Sequence, residues 1–113
     1  MANLDSVFHG LADPTRRAVI TRLAGGPMSV SELAAPHQMA LPSFLKHLRV
    51  LEDAGLVTSR KVGRVRTCTL EIDTMASVES WIGERKRFWE QQYDQLEAYL
   101  ALSATQENSN DGD

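Results

Sequence analysis

The chain has 113 residues, of which 42% are hydrophobic and 24% are charged, and its formal net charge is −3. This composition is that of an ordinary globular protein and excludes a disordered or membrane-spanning chain, and the length allows one domain. A single cysteine excludes an intramolecular disulfide framework and is typical of a reducing compartment. The first residues do not show the basic start and apolar stretch of a secretory signal. We therefore expect a cytoplasmic protein with no membrane partner.

The first part of the chain predicts three helices. Apolar residues at helical spacing predict a first helix over Leu4–Leu11. Asp13-Pro14 predicts the start of a second helix, because an acid caps backbone donors and proline tolerates the first helical position, and Gly25-Gly26-Pro27 ends it. Ser29 and Glu32 have the spacing of a capping box, in which each side chain binds the other's backbone N–H, at the start of a brief third helix.

A fourth helix over residues 41–54 follows a turn, and Gly55 ends it. Its predicted apolar face consists of Leu41, Phe44, Leu48 and Leu51, and we expect Leu45 to extend the edge of the core. Alternating residues then predict strands over Leu56–Lys61 and Arg64–Leu70, joined around Val62-Gly63. A long helix is predicted over Thr74–Leu102, with a disordered polar tail over residues 103–113.

This order of elements predicts a mainly α fold with five helices and a small β-hairpin. A short helix and a turn before a longer amphipathic helix are typical of a helix-turn-helix, and the hairpin after it is a wing. We therefore expect a winged helix-turn-helix domain in residues 1–102.

The charge along the chain is uneven. Residues 1–38 contain three Lys or Arg and three acids, residues 39–70 contain six against two, and residues 71–113 contain three against ten. Affinity for phosphates depends on where positive charge clusters rather than on the sum over the chain. The central segment is therefore the candidate nucleic-acid surface.

Several strings of the sequence resemble the ArsR-type winged helix-turn-helix repressors of bacteria and archaea. The strings lie at residues 11–17, 31–34, 46–51, 54–57 and 63–64 and read LADPTRR, SELA, KHLRVL, AGLV and GR. The resemblance implies a homodimeric transcriptional repressor that dimerises through its first and last helices and places the fourth helix in the DNA major groove. Many relatives carry Ser at Ala40 and Ser or Thr at Leu45, so the contacts of those two hydroxyls cannot be assigned here.

On the fourth helix, the polar side chains lie away from the predicted core. The candidates for contact with double-stranded DNA are Ser43, Lys46, His47 and Arg49 on this helix and Arg60, Lys61, Arg64 and Arg66 on the wing. The alternative is that these cations only solvate an exposed helix and protect an edge hairpin. Arg16 and Arg17 are equally explained by a phosphate contact or by partners among nearby acids.

The last helix carries an apolar and aromatic stripe. The predicted dimer interface consists of Leu4, Val7 and Phe8 in the first helix and Val78, Trp81, Ile82, Trp89, Leu96 and Leu100 in the last. A second interpretation is a cleft between subunits for a small ligand, lined by Trp81, Phe88, Trp89 and Tyr93. The inducer is not predicted.

The residues predict no cofactor, no metal site and no enzyme. Residues 29–33 contain no cysteine pair, residues 74–102 contain no histidine, and no arrangement typical of a catalytic site is present. Cys68 is expected to be a half-buried structural thiol; the alternative is a redox-responsive repressor in which Arg66 lowers the pKa of the thiol. A wing that binds an acidic protein instead of DNA is the remaining alternative.

Overall fold

The structure is a computed structural model that describes residues 3–110, with side chains described for residues 3–105. It forms two compact units, which divide after Val78. The elements are α1 (Leu4–Leu11), α2 (Pro14–Leu23), β1 (Met28–Ser29), α3 (Val30–Ala34), α4 (Leu41–Asp53), β2 (Val57–Val62), β3 (Val65–Leu70) and α5 (Ile72–Asn110). The predicted five helices and winged helix-turn-helix order are confirmed.

The helix starts follow the capping residues. The Asp13 carboxylate accepts a hydrogen bond from the backbone N–H of Arg16 at 3.1 Å, directly before Pro14 at the first position of α2. The Ser29 hydroxyl accepts from the backbone N–H of Glu32 at 3.1 Å and donates to the Glu32 carboxylate at 3.1 Å. The capping box is thus half as predicted, because the Glu32 side chain binds the Ser29 hydroxyl. No side-chain hydrogen bond caps α4 at Ala40.

The three strands form an antiparallel sheet in the order β1-β3-β2. The sequence predicted only the hairpin, because β1 is two residues long and lies between a glycine-proline turn and a helix cap. Gly63 and Arg64 form the hairpin turn, and Gly63 has a φ of 62°. This positive φ at the first turn position is typical of a type II′ turn. Arg64 is therefore at the tip of the wing, rather than in the strand as predicted.

The core of the first unit lies between the helices and the sheet. Its most completely buried side chains are Val7, Val19, Leu33, Phe44, Leu51, Leu56, Val57 and Cys68. Leu41 and Leu45 were expected at this core, and both predictions are wrong, because the two side chains are 55% and 43% exposed. The helix turns Phe44, Leu48 and Leu51 inward, whereas Leu41 begins the helix and Leu45 lies about a quarter turn from the centre of the buried face.

Two residues predicted at the dimer interface belong to this core instead. Val7 is 1% exposed and Val78 is 5% exposed, so neither offers surface to another subunit. Helical spacing placed them on an apolar face but could not tell which neighbour covers that face. Leu4 and Phe8 are half-buried and pack against the core.

The second unit, residues 79–113, consists of the continuation of α5 in its described part. An apolar stripe about 140° wide runs along this helix. Its members are between 38% and 68% exposed and are Trp81, Ile82, Phe88, Trp89, Tyr93, Leu96, Tyr99 and Leu100. The described residues contain no helix that is long and apolar enough to cross a membrane.

The prediction of a disordered tail is wrong for residues 103–110, because α5 continues to Asn110. No glycine or proline interrupts residues 101–110, although half of them are Ser, Thr or Asn, whose helix propensity is lower than that of alanine. Polar composition alone therefore did not mark the end of the helix. The remainder of the predicted tail, residues 111–113, lies outside the described residues.

Candidate nucleic-acid interface

A buried arginine holds α4 against the first two helices. Arg16 is 9% exposed and donates from Nε to the carbonyl of Gly10 at 2.8 Å and from Nη2 to the carbonyl of His9 at 3.0 Å. Its Nη1 lies 3.0 Å from Nδ1 of His47. Because a guanidinium can only donate, Nδ1 of His47 is the acceptor in this contact. Arg16 thus caps the end of α1 and positions α4.

His47 was predicted to contact DNA, and the structure favours a positioning role. Its Nδ1 is occupied by Arg16 and also lies 3.7 Å from the Asp13 carboxylate. Burial tends to raise the pKa of Asp13, but the Arg16 backbone N–H, together with the His47 ring and the Arg16 guanidinium, holds this pKa below its ordinary value of 3.8. His47 is therefore left out of the DNA-contact set that we propose below.

A second set of side-chain hydrogen bonds joins α4 to the wing. Ser59 on β2 donates its hydroxyl proton to the Glu52 carboxylate at 2.9 Å, and Arg66 on β3 donates from Nη1 to the Ser59 hydroxyl at 2.9 Å. Arg66 remains exposed, but one of its N–H groups already serves the wing. The two sets of hydrogen bonds hold α4 from both sides and fix its position relative to α2 and the wing.

The other predicted contact residues are exposed on α4 and the wing. Five of them are cations whose side chains form no ion pair or hydrogen bond with any residue whose side chain the structure describes. These five, called here the unpaired cations, are Lys46, Arg49, Arg60, Lys61 and Arg64. Ser43 is exposed as well. All lie in the first compact unit, so the fold brings the predicted helix and wing cations onto adjoining elements.

The other two arginines of α2 have structural partners. Arg17 donates to the carbonyl of Leu11 at 2.9 Å, and Arg22 donates to the carbonyls of Glu32 and Leu33 at 2.9 and 3.2 Å. Both therefore satisfy carbonyls at helix ends. Arg16 and Arg17 thus donate to backbone carbonyls rather than to the acidic side chains expected as partners.

The thiol of Cys68 is 0% exposed and does not fit the redox alternative. Burial, and then the nearby carboxylate of Glu52, raise the pKa of this thiol, and the opposing effect of Arg66 is smaller. Arg66 does lower the pKa of the thiol as predicted, but burial and Glu52 outweigh it, so the net shift is upward and does not favour the redox alternative. Cys68 is also more deeply buried than expected. Among the described residues, no group of three or more His, Cys, Asp or Glu side chains could hold a metal ion.

The chain is similar to several known proteins. Residues 11–60 match the helix-turn-helix domain family. The HTH-type transcriptional regulator Rv2034 of Mycobacterium tuberculosis (strain ATCC 25618 / H37Rv) is 39% identical over 85 residues, which cover 75% of this chain and 77% of that protein. The crystal structure of an ArsR family transcriptional regulator, RHA00566, is 52% identical with a TM-score of 0.72, covering 80% of this chain and 97% of that one.

A further solved neighbour is a homodimeric winged helix-turn-helix DNA-binding domain, Mb0332 from Mycobacterium bovis, described as a possible ArsR-family transcriptional regulator. It is 26% identical with a TM-score of 0.60, and the match covers 73% of this chain and 80% of that one. Fold, exposed cations and relatives together define a winged helix-turn-helix transcriptional regulator. The chain belongs to the ArsR family of these regulators, which is not a family of enzymes.

Proposed function

We propose that the protein is a cytoplasmic homodimeric repressor that binds an inverted repeat in duplex DNA. In this proposal α4 enters the major groove and the wing follows the phosphates. The observation that carries it is the set of unpaired cations, because exposed cations without acidic partners are the groups that phosphates can neutralise.

The contacts divide into two kinds. The guanidinium of Arg49 can bind the major-groove edge of guanine with two hydrogen bonds, so it is proposed to read sequence together with Ser43. Lys46 and the wing cations Arg60, Lys61 and Arg64 are proposed to bind phosphates, which position the protein without selecting a sequence. Arg66 supports the wing and adds to the local positive potential.

The dimer is inferred from the second unit. An amphipathic helix gains most of its stability from packing its apolar face, and the described part of α5 leaves the stripe from Trp81 to Leu100 exposed. A second copy supplies an identical stripe, and the Mb0332 neighbour is itself described as homodimeric. Two symmetric reading helices require an operator with two half-sites, whose centres lie about 34 Å apart on one face of the duplex.

The assembly is tested by light scattering at micromolar concentration. We expect twice the chain mass of 12.5 kDa for the wild type and the mass of one chain for Leu96→Glu, because a charge in the stripe opposes packing. Ala98→Glu is the control, since Ala98 is exposed on the same helix and lies on the side away from the stripe. A monomeric wild type, or equal loss of dimer in both variants, contradicts the proposed assembly.

DNA recognition is tested by selecting bound duplexes from genomic fragments and sequencing them. We expect an inverted repeat, and the recovered genes would indicate the signal to which the repressor responds. Arg49→Ala should relax base preference in this selection, whereas Arg64→Ala should weaken all sequences alike. No retained fragment at low salt, together with tight binding of an acidic protein, would favour the protein-interaction alternative.

A further inference from the structure

Two leucines at the start of α4 are unexplained by the packing of the chain. Leu41 is 55% exposed and Leu45 is 43% exposed. Residues four apart on a helix lie one above the other, so the two side chains share one face. The next residue in this row is Arg49, which is exposed and belongs to the unpaired cations. An apolar pair thus leads directly into the residue proposed to read guanine.

The surroundings of Leu45 are those of a recognition surface. It borders an open depression of about 390 Å³ between α4 and the wing. The other lining residues are Leu48, Arg49, Glu52, Asp53 and Arg66. Leu48 belongs to the core and Glu52 is bound by Ser59 of the wing. The exposed groups of α4 on this side are therefore Leu41, Leu45, Arg49 and, one turn further, Asp53.

A leucine can favour only one feature of a base edge in the major groove. The groove presents hydrogen-bond donors and acceptors from all four bases, but thymine alone adds an apolar C5-methyl group. A leucine neither donates nor accepts, so placing it against another base edge removes water from polar atoms without replacing their hydrogen bonds. The chemistry of the pair therefore selects thymine.

We propose that Leu41 and Leu45 are specificity-determining residues that contact thymine methyl groups of the operator. The inference rests on the proposed function, since it requires α4 in the major groove. The local positive charge favours duplex DNA as the ligand of this face, because Lys46 and Arg49 flank Leu45 without acidic partners of their own. Each half-site should then contain one or two thymines whose methyl groups contribute to affinity.

Deoxyuridine tests this directly, because it pairs like thymidine and lacks only the methyl group. The probe is a synthetic duplex carrying the site selected by the wild-type protein from a random-sequence pool, with each thymidine of one half-site replaced singly. Fluorescence anisotropy measures Kd. We expect the wild type to lose about fourfold in affinity at one or two positions, the factor that corresponds to burial of one methyl-sized group.

The variants assign each methyl group to its leucine. Leu45→Ala should bind the thymidine and deoxyuridine duplexes equally at one of these positions, and Leu41→Ala should do so at another if two are found. Both leucines are exposed, so the variants should fold, and far-UV circular dichroism checks this. Leu102→Ala removes a leucine of α5 that is more exposed than either and should keep the full response to deoxyuridine.

The outcomes separate the two proposals. If the protein binds its selected site but no deoxyuridine changes Kd by more than about twofold, the leucine assignment is overturned and the proposed function stands. The same holds if both alanine variants keep the wild-type loss at every position. If no duplex is retained from the pool, the proposed function fails and the leucine assignment fails with it.

Discussion

Salt dependence offers a quantitative test of how the unpaired cations meet DNA. Arg64 lies at the tip of the wing in a turn constrained by Gly63, with no acidic partner among the described side chains. Four such cations per subunit are assigned to phosphates: Lys46, Arg60, Lys61 and Arg64. A dimer would then make about eight phosphate contacts, and the slope of log K against log salt should be about −7. Raising salt from about 50 to 200 mM should weaken binding by about 10⁴-fold.

Arg64→Ala removes one contact from each subunit, so the slope should become about −5 and the same rise in salt should cost about 10³-fold. Arg87→Ala is the matched control, because Arg87 is also exposed but lies on α5, opposite the apolar stripe. Its slope should equal that of the wild type. The assay is fluorescence anisotropy with a fixed duplex at five or more salt concentrations. A wild-type slope shallower than about −2, or equal slopes for Arg64→Ala and the wild type, would refute the phosphate assignment.

Three further predictions concern Arg16 and Asp13, which position the interface, and the buried thiol of Cys68. Arg16→Ala should lower the free energy of unfolding, measured in urea, by about 2–4 kcal/mol, because it leaves the buried Gly10 carbonyl without its side-chain donor and removes the contact with His47. Arg17→Ala should cost less than about 1 kcal/mol, and equal costs contradict the positioning role. Asp13→Ala should cost about 1 kcal/mol at pH 7. Since folding lowers the pKa of Asp13, its contribution is present above the ordinary pKa of 3.8 and disappears as the pH falls through the folded value, so the cost should shrink in acid; a cost that grows there refutes the sign. Cys68 should react with iodoacetamide in denaturant and be protected in the native protein, as mass spectrometry can show, and rapid native labelling would contradict its burial.

Those features of the fold that depend on neighbouring residues were predicted well from the sequence. The Asp13 cap, the Ser29 cap and the turn at Gly63 involve partners no more than three residues away, so their geometry follows from local chemistry. The unpaired cations were also found in advance, because a concentration of positive charge in residues 39–70 is visible without coordinates.

The sequence patterns identified the apolar faces of the helices but not the surfaces against which those faces pack. Val7 and Val78 had the spacing of interface residues and are buried in the core, whereas Leu41 had the spacing of a core residue and is exposed. The two errors have one cause: helical periodicity identifies a face, and only packing determines whether that face meets the core, a partner or solvent. The extent of α5 beyond Ser103 was missed because polar residues without periodicity resemble a tail, whereas no glycine or proline ends the helix there.

The helix starts, the hairpin turn and the location of the basic segment were thus determined by the sequence itself, since each depends on interactions within a few residues or on composition. The tertiary structure decided which arginines remain available to DNA. Arg16 and His47 are 31 residues apart in the chain, and Met28 pairs with Cys68 across the sheet. Such contacts exist only once the chain has folded, because a single contact does not offset the conformational entropy that is lost when a loop of this length closes.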